Sequence, residues 1–210
     1  MEKKELTKKL ENFFYYYKWQ TFFVVLGIIL IIITVRQVTA RIDYDTRIVF
    51  GGKITAIDPD IQSFNSKVKE LFADSNGDGE VNVLTTFATI GDDSGTAESN
   101  YVMQTKLQAL LVEGKTTVFI VNRVLLEWLG SQEAFADLSD IVVELGKEIG
   151  ESPYGVRISP DNPYFSMFSM DQEEYYLAIR THEPLETLEG REQADYQNAY
   201  ALLRAVMQSQ

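Results

Sequence analysis

The chain has 210 residues, no cysteine and a formal net charge of −12 at pH 7. A disulfide framework is therefore excluded, so a folded domain must depend on its hydrophobic core or on a bound metal. The first 35 residues hold five of the 19 basic and three of the 31 acidic residues, which leaves 14 basic and 28 acidic residues in 36–210. So acidic a segment argues against nucleic acid as a partner, because phosphates are bound by positive surfaces.

Thr21 to Val35 is an uninterrupted apolar run, TFFVVLGIILIIITV, between Lys18 and Arg36. It is apolar on every face, which predicts a membrane helix rather than a helix in a soluble core. At about 1.5 Å per residue, residues 19–35 span about 25 Å, and Trp19 with the flanking cations can extend that length to the headgroups.

The charges around this run predict its orientation. Five lysines precede it and three arginines follow closely, and cytoplasmic flanks carry the excess of positive charge. We therefore expect a cytoplasmic tail at 1–18, a transmembrane helix in the cell membrane at 19–35, a stalk at 36–46 and an extracytoplasmic domain at 47–210. A signal peptide cleaved after Ala40 is the alternative.

The tail itself has a helical pattern. Apolar residues recur near the helical period at Leu6, Leu10, Phe13, Phe14 and Tyr17. The membrane helix therefore either begins well inside the cytoplasm or lies along the membrane surface before it enters.

Beyond the stalk, predicted strands and helices alternate. Continuous apolar or β-branched runs predict strands, and apolar residues three and four apart predict helices. In chain order we expect a strand ending in Gly51-Gly52, a helix at 59–73, a strand at 81–87, a helix from a Ser99 cap to Gly114, a strand at 117–121 and a helix through 125–129. This alternation predicts parallel βαβ units with right-handed crossovers.

The pattern changes after Leu129. Phe135 to Leu145 is predicted as helix and turn, and short strands follow at 156–158, 164–168 and 175–179, before a final helix at about 191–208. We expect the last two strands to form an antiparallel hairpin. The predicted fold class is α/β: after the transmembrane helix, one three-layer αβα domain with a mostly parallel sheet, closed by that hairpin and helix.

The sharpest local motif begins with Asp74-Ser75-Asn76-Gly77-Asp78-Gly79. An EF-hand-type loop needs oxygen ligands at positions 1, 3 and 5, a glycine at 6, a carbonyl at 7 and a bidentate acid at 12. The predicted calcium ligands are Asp74, Asn76, Asp78, the carbonyl of Glu80, Asn82 and Thr85. Because Thr85 is not a bidentate acid, we expect weak affinity, about 0.1–1 mM, and a role in rigidifying the turn. A plain Asn-Gly/Asp-Gly turn is the alternative.

Catalytic motifs are scarce, so we expect no enzyme. His182 is the only histidine, with neither a cysteine nor a second imidazole to assist it. No Gly-x-Ser-x-Gly, Walker or dinucleotide glycine pattern occurs. Acidic pairs such as Asp92-Asp93 and Glu173-Glu174 are predicted as solvated surface, and a hydrolase that uses them is a minor alternative. Five aromatic residues could stack on a sugar, although core packing is favoured: Tyr164, Phe165, Phe168, Tyr175 and Tyr176.

Five stretches between residues 47 and 142 share a family pattern. They are the strand ending in Gly51-Gly52, the helix before Asp74 to Val81, Gln104-Thr105-Lys106-Leu107, Val118-Phe119-Ile120-Val121 and Ala136-Asp137-Leu138-Ser139-Asp140. Together they resemble the amino-terminal lobe of bacterial extracellular solute-binding proteins of the sugar-binding type. The aromatic and basic start of the chain also resembles the anchors of membrane proteins from Gram-positive bacteria.

This resemblance implies a non-catalytic binding domain at the bacterial cell surface. Members of that family trap a solute between two lobes, whereas this chain has room for about one. A ligand surface is expected at the carboxyl ends of the parallel strands, near Gly51, Gly52, Thr89 and Asn122. The hypothesis is a membrane-anchored binding domain for a small solute or an envelope protein. The alternative is a structural or accessory subunit of a cell-envelope complex, with no small-molecule site.

Overall fold

The computed structural model describes residues 2–39, 42–89, 97–148, 150, 152–170 and 173–209. The chain divides into two units, Met1–Ile42 and Asp43–Gln210. The second unit thus begins inside the predicted stalk. Ala40, the acidic pair Asp92-Asp93 and the tip of the predicted hairpin at 171–172 lie outside the described residues.

The first unit is one long helix, α1 (Glu2–Thr39), and it contains the predicted apolar helix. Its stretch Tyr15–Arg36 has a mean hydropathy of 2.1 and no buried residue, and it is long enough to cross a membrane. A helix of this length and position is compatible with a membrane anchor or with a signal peptide. The backbone leaves helical geometry at Tyr17, where φ is −114° and ψ is 15°, so α1 consists of two helical segments joined by a kink.

The second unit is a mixed α/β domain. In chain order its described elements are β1 (Thr46–Gly52), β2 (Ile54–Thr55), α2 (Asp58–Lys69), β3 (Val83–Thr89), α3 (Ala97–Glu113), β4 (Val118–Asn122), α4 (Arg123–Gly130), α5 (Ser139–Glu144), β5 (Val156–Arg157), β6 (Ser169–Met170), β7 (Tyr175–Ile179) and α6 (Gly190–Gln208). Five strands form one sheet in the order β3-β1-β4-β7-β5, and β2 pairs with β6.

The larger sheet is mostly parallel, as predicted. β1 is parallel to β3 and to β4, and β7 is antiparallel to β4 and to β5. Four of the five strands therefore run in one direction. The predicted strands at 81–87 and 117–121 are found displaced by one or two residues toward the carboxyl terminus, and α3 begins at Ala97, before the predicted cap Ser99.

Both faces of the sheet are buried. Ile48 and Phe50 of β1 belong to a hydrophobic cluster with residues of α2, α5 and α6, whereas Val49 belongs to a second cluster with residues of α3 and α4. Successive side chains of a strand point to opposite faces, so the continuous apolar run in β1 supplies both clusters. Such runs are typical of parallel strands covered on two sides.

The predicted strand at 164–168, and its hairpin with 175–179, are wrong. Residues 163–167 form turns, and β7 pairs with β4 and β5 instead. Asn162 is the physical reason, because its carbonyl accepts the N–H groups of Phe165 and Ser166 at 2.9 Å and its side chain accepts that of Tyr164 at 3.1 Å.

This turn carries two aromatic side chains into the core. The ring centroid of Phe168 lies 4.9 Å from that of Phe50 and 5.3 Å from that of Phe64, and Phe165 lies 5.6 Å from Phe64. Phe165 and Phe168 are three residues apart, a spacing that places both on one side of a turn but on opposite faces of a strand. Both rings can enter the same core only because this segment is a turn and not a strand.

Candidate functional site

The loop between α2 and β3 carries most of the predicted calcium ligands. The two carboxylate oxygens of Asp74 accept the N–H groups of Gly77 at 2.6 Å and Gly79 at 2.8 Å. Both glycines have positive φ, 75° and 87°, which glycine adopts without steric strain. These hydrogen bonds, that from Gly79 first, lower the pKa of the Asp74 carboxyl.

Two further side chains close the loop on itself. Asn76 Oδ1 accepts the N–H of Asp78 at 2.8 Å, and Asp78 Oδ1 accepts that of Glu80 at 2.9 Å. The structure thus brings Asp74, Asn76 and Asp78 together. Because an oxygen acceptor has two lone pairs, one N–H bond leaves it able to bind a cation as well.

The remaining predicted ligands are less well placed. Asn82 lies at the end of the loop. Its N–H donates to Asp45 Oδ2, and its carbonyl accepts the N–H of Asp45. Thr85 lies within β3, and its hydroxyl donates to Asn65 Oδ1 of α2 at 2.5 Å. Among the described residues, no three His, Asp or Glu side chains form a group that could hold a metal. Of the predicted ligands, two are carboxylates, those of Asp74 and Asp78, and the others are two amides, a carbonyl and a hydroxyl.

A buried carboxylate, Asp45, joins this loop to the domain. Its side chain is fully buried. Its oxygens accept three backbone N–H groups of the loop, from Ser75 (2.8 Å), Asn76 (3.2 Å) and Asn82 (2.6 Å). Asp45 falls in the predicted stalk and no sequence motif marks it, so sequence reasoning missed its role.

The last helix also contacts this region. Arg191 donates to both oxygens of Asp43, at 2.6 and 2.9 Å, and this pairing lowers the pKa of Asp43. Ser75 Oγ donates to Asp195 Oδ1 at 2.5 Å. Burial raises the pKa of Asp195, against that hydrogen bond and the nearby Arg191. The loop is therefore bound both to the chain that enters the domain and to α6.

The four residues of the predicted ligand surface lie along one edge of the sheet. Gly52 is paired in register with Thr89, and Gly51 with Val121, the neighbour of Asn122. A Cβ on Gly52 would lie 2.9 Å from the Tyr175 hydroxyl oxygen, and one on Gly51 would lie 3.2 Å from side-chain atoms of its neighbours. The glycines therefore permit close packing, and ligand contact at this edge stays a prediction.

Asn122 has a structural role as well. Its side chain caps α4 by accepting the N–H of Leu125 at 3.0 Å, and it donates to Glu173 Oε2 at 2.8 Å. Asn122 pairs in register with Tyr175, so the amino-terminal end of β7 lies beside the carboxyl end of β4. The chain continues from Asn122 into α4, whose first residue, Arg123, lines a cleft.

Two clefts open there. The first, about 330 Å³, lies between α5 and the β5–β7 pair, and the second, about 280 Å³, lies along α4. Ser152, Pro153 and Tyr176 line both of them. The two clefts therefore meet at Tyr176.

The surface around Tyr176 carries charges of both signs. Tyr176 donates its hydroxyl to Glu174 Oε2 at 2.9 Å, and Glu174 Oε1 forms an ion pair with Arg157 at 2.8 Å. Lys147 lines the first cleft and Arg123 the second. Such a lining can offer both hydrogen-bond donors and acceptors, which suits a polar solute better than a simple cation or anion.

Close packing shapes the segment between the clefts. A Cβ on Gly155 would lie 2.9 Å from Leu126 Cδ1, and one on Gly130 would lie 2.9 Å from the Tyr154 ring. Residues 152–155 can therefore lie directly against α4. The N–H of Leu138 donates to the carbonyl of Pro153 at 2.8 Å and holds the other side of the segment.

The residues considered for catalysis are dispersed. His182 lines a third cleft of about 510 Å³ together with several acidic residues. Its Nε2 lies 3.0 Å from the Tyr200 hydroxyl, and its ring centroid lies 4.2 Å from that of Tyr196, with the two rings tilted by 43°. Glu173 bonds to Asn122, whereas Glu174 bonds to Arg157 and Tyr176. Of the aromatic residues considered for sugar stacking, four are buried in the core: Phe165, Phe168, Tyr175 and Tyr176.

Comparison of the chain with protein-family models, with curated proteins and with solved structures gives no match.

Proposed function

We propose that residues 19–35 anchor the chain in the cell membrane, with residues 1–18 in the cytoplasm, and that the second unit is a non-catalytic binding domain outside the cytoplasm. In this proposal the domain is a three-layer αβα structure similar to one lobe of a solute-binding protein. The observation that carries it is the pair of clefts that meet at Tyr176, beside the carboxyl end of β4.

The topology of the sheet supports a ligand at this edge. β1 and β4 are neighbours, and the chain leaves β1 toward β3 on one side and leaves β4 toward β5 and β7 on the other, so the two connections diverge. In open α/β sheets, ligands bind at the carboxyl ends of strands near such a point. Asn122, at the end of β4, is the predicted ligand residue that lies closest in sequence to the cleft lining, next to Arg123.

The chemistry of the clefts favours an uncharged polar solute. Arg157, Glu174 and Tyr176 together present donors and acceptors next to an aromatic ring. Hydroxyl groups both donate and accept hydrogen bonds. An oligosaccharide has this chemistry, and it is also the solute class that the family resemblance implies.

Calorimetric titration of the full chain in detergent with short oligosaccharides, such as maltotriose and cellotriose, tests the proposal. We expect one of them to bind, and Arg157→Gln to weaken binding about tenfold, the loss of a charged hydrogen bond. Lys69→Gln, on the exposed surface of α2, is the matched control and should bind normally. No heat with any oligosaccharide, while the domain remains folded, would reject the binding role.

Calcium has a supporting role in the proposal. Asp74, Asn76, Asp78, the Glu80 carbonyl and Asn82 would hold the ion, and the ion would stiffen the loop. The observation in favour is that the first three already point their oxygens into one short loop. The ion would carry no chemical step.

A different observation favours an accessory subunit of an envelope complex. Among the described strands, β3 lies at one edge of the sheet. Its seven residues, VLTTFAT, include no charge and no proline, although edge strands are usually protected by such residues. Lys106 of α3 donates to the carbonyl of Phe87 and covers one acceptor of the edge. On α3, Tyr101 and Val112 are 69% and 88% exposed. Exposed apolar surface next to an open strand edge is typical of protein interaction sites.

Native electrophoresis of solubilised membranes from the source organism distinguishes the two roles. If the α3–β3 surface binds a partner, the wild-type chain should migrate in a larger complex and Val112→Glu should release it. Val143→Glu, at an equally apolar exposed position on α5, should leave the complex intact. Migration at the size of a single chain in every case would reject the accessory role.

A further inference from the structure

The amino-terminal segment of α1 is separated from the apolar span by a kink. At Tyr17, φ of −114° and ψ of 15° interrupt the helix, and Lys18 and Trp19 follow at once. The interruption therefore coincides with the boundary at which the predicted span begins. Residues 2–16 form a helical segment that need not share the axis of residues 18–39.

A straight α1 would leave apolar residues in water. Its 38 residues would extend about 57 Å, roughly twice the hydrocarbon core of a bilayer. With the span in the membrane, Leu6, Leu10 and Phe13 would then project into the cytoplasm, although they recur on one side of the helix. A kink at the interface removes this conflict, because the segment can lie along the surface with that side toward the lipid.

The charges of the segment indicate which surface it contacts. Residues 2–16 contain Lys3, Lys4, Lys8 and Lys9 together with three acidic residues, Glu2, Glu5 and Glu11, and Lys18 follows the kink, so basic residues are in excess. Basic residues beside a span are attracted to anionic lipids of the cytoplasmic leaflet, and apolar residues on the same helix add binding in the headgroup region. Tyr15 and Tyr16, which precede the kink, are 74% and 69% exposed, as suits residues of the membrane interface.

We infer that residues 2–16 form an interfacial helix that binds anionic lipid headgroups through its lysines, with Tyr17 as the hinge to the membrane span. This inference rests on the proposed function, since it requires residues 19–35 to cross the membrane with the tail on the cytoplasmic side. The partner is therefore a lipid surface of negative charge, not a second protein.

Single-cysteine labelling of the full chain tests the inference cleanly, because the chain has no cysteine of its own. Leu10→Cys on the apolar side of the tail helix, Asn12→Cys on the other side and Ile29→Cys in the span would each carry an environment-sensitive fluorophore. The protein would be reconstituted in vesicles of phosphatidylcholine alone or mixed with phosphatidylglycerol. Accessibility of the label to an aqueous quencher is the measurement.

We expect the label at position 10 to become about tenfold less accessible when phosphatidylglycerol is present, because each lysine adds to binding at an anionic surface. The label at position 12 should stay accessible. Replacing Lys3, Lys4, Lys8 and Lys9 by Gln should abolish the difference between lipids, and so should high salt, which shortens the screening length to about 3 Å at 1 M.

Three other outcomes would each overturn a different part of the proposal. A protected label at position 29 with an accessible label at position 10 in both lipids overturns the interfacial helix but leaves the anchor intact. Equal protection at position 10 in both lipids, insensitive to the Lys→Gln changes, overturns the role of anionic headgroups. An accessible label at position 29 overturns the membrane anchor itself, and the inference with it.

Discussion

The central sheet and the loop 74–82 are held in place by different forces. Around Phe50, apolar side chains from several elements pack together, so the packing is shared among many contacts. The loop instead depends on a few oxygens, above all those of the buried Asp45. The sheet should therefore tolerate conservative changes in shape, whereas the loop should be sensitive to the loss of one acceptor.

Phe64→Ala tests the packed region and should have the largest effect. The side chain is fully buried within the aromatic cluster, and such a truncation leaves a cavity that costs about 3–5 kcal/mol. Urea unfolding of the full chain in detergent, followed by near-ultraviolet circular dichroism, measures it. Phe64→Leu should cost much less, and equal losses for the two variants would contradict the role of packing.

Asp45→Ala tests the polar region. Three half-buried N–H groups lose a charged acceptor, so we expect a loss of about 3 kcal/mol, despite the small volume removed. The same unfolding measurement applies. Asp43→Ala, which removes an exposed partner of Arg191, should cost much less, because solvent screens an exposed ion pair. A loss at Asp45 no larger than that at Asp43 would show that the loop does not depend on the buried carboxylate.

Calcium should distinguish the loop from the packed sheet, because it can stabilise only the loop. At a few millimolar calcium, a site of about 0.1–1 mM affinity should raise the melting temperature by about 2–8 °C relative to EDTA. Asp74→Ala with Asp78→Ala should abolish the rise. The matched control, Glu70→Ala with Asp161→Ala on exposed surface, should keep it. An unchanged wild-type melt would identify the loop as a plain turn.

The smallest effect should come from the titration of Asp195. Its pKa is raised in the folded domain by burial, so its contribution to stability is full below the unfolded pKa, about 3.9, and is lost as the pH rises through the folded value. The difference in unfolding free energy between wild type and Asp195→Asn should therefore move in favour of the variant from pH 4 toward neutral. A constant difference across that range would contradict the raised pKa.

The parts of the fold that depend on local pattern could be predicted from the sequence. The apolar runs of β1 and β4 and the amphipathic spacing of α2 are visible in short windows. The turn at 163–167 could not be predicted in this way, because the mostly apolar run Tyr164 to Phe168 resembles a short strand. The hydrogen bonds of Asn162 decide the outcome.

The candidate sites also differ in whether their residues are neighbours in the sequence. The Asx-type hydrogen bonds of Asp74, Asn76 and Asp78 lie within a few residues, so the motif located the loop correctly. Asp45 bonds to residues 30 and 37 positions later, and no local pattern reports such a contact. The clefts at Tyr176 likewise combine residues from α4, α5 and β7, which only the folded chain brings together.

The fixation of residues 43–45 has a mechanical consequence. Any tension carried along the backbone from the first unit enters the second at Asp43, where Arg191 and the Tyr44 carbonyl join the chain to α6. Asp45 then ties the next residues to the loop, and β1 itself is hydrogen-bonded to a strand on each side. A pulling force would be shared by these attachments in parallel rather than peeling away one strand. The domain is thus reinforced at the point where a tether would load it.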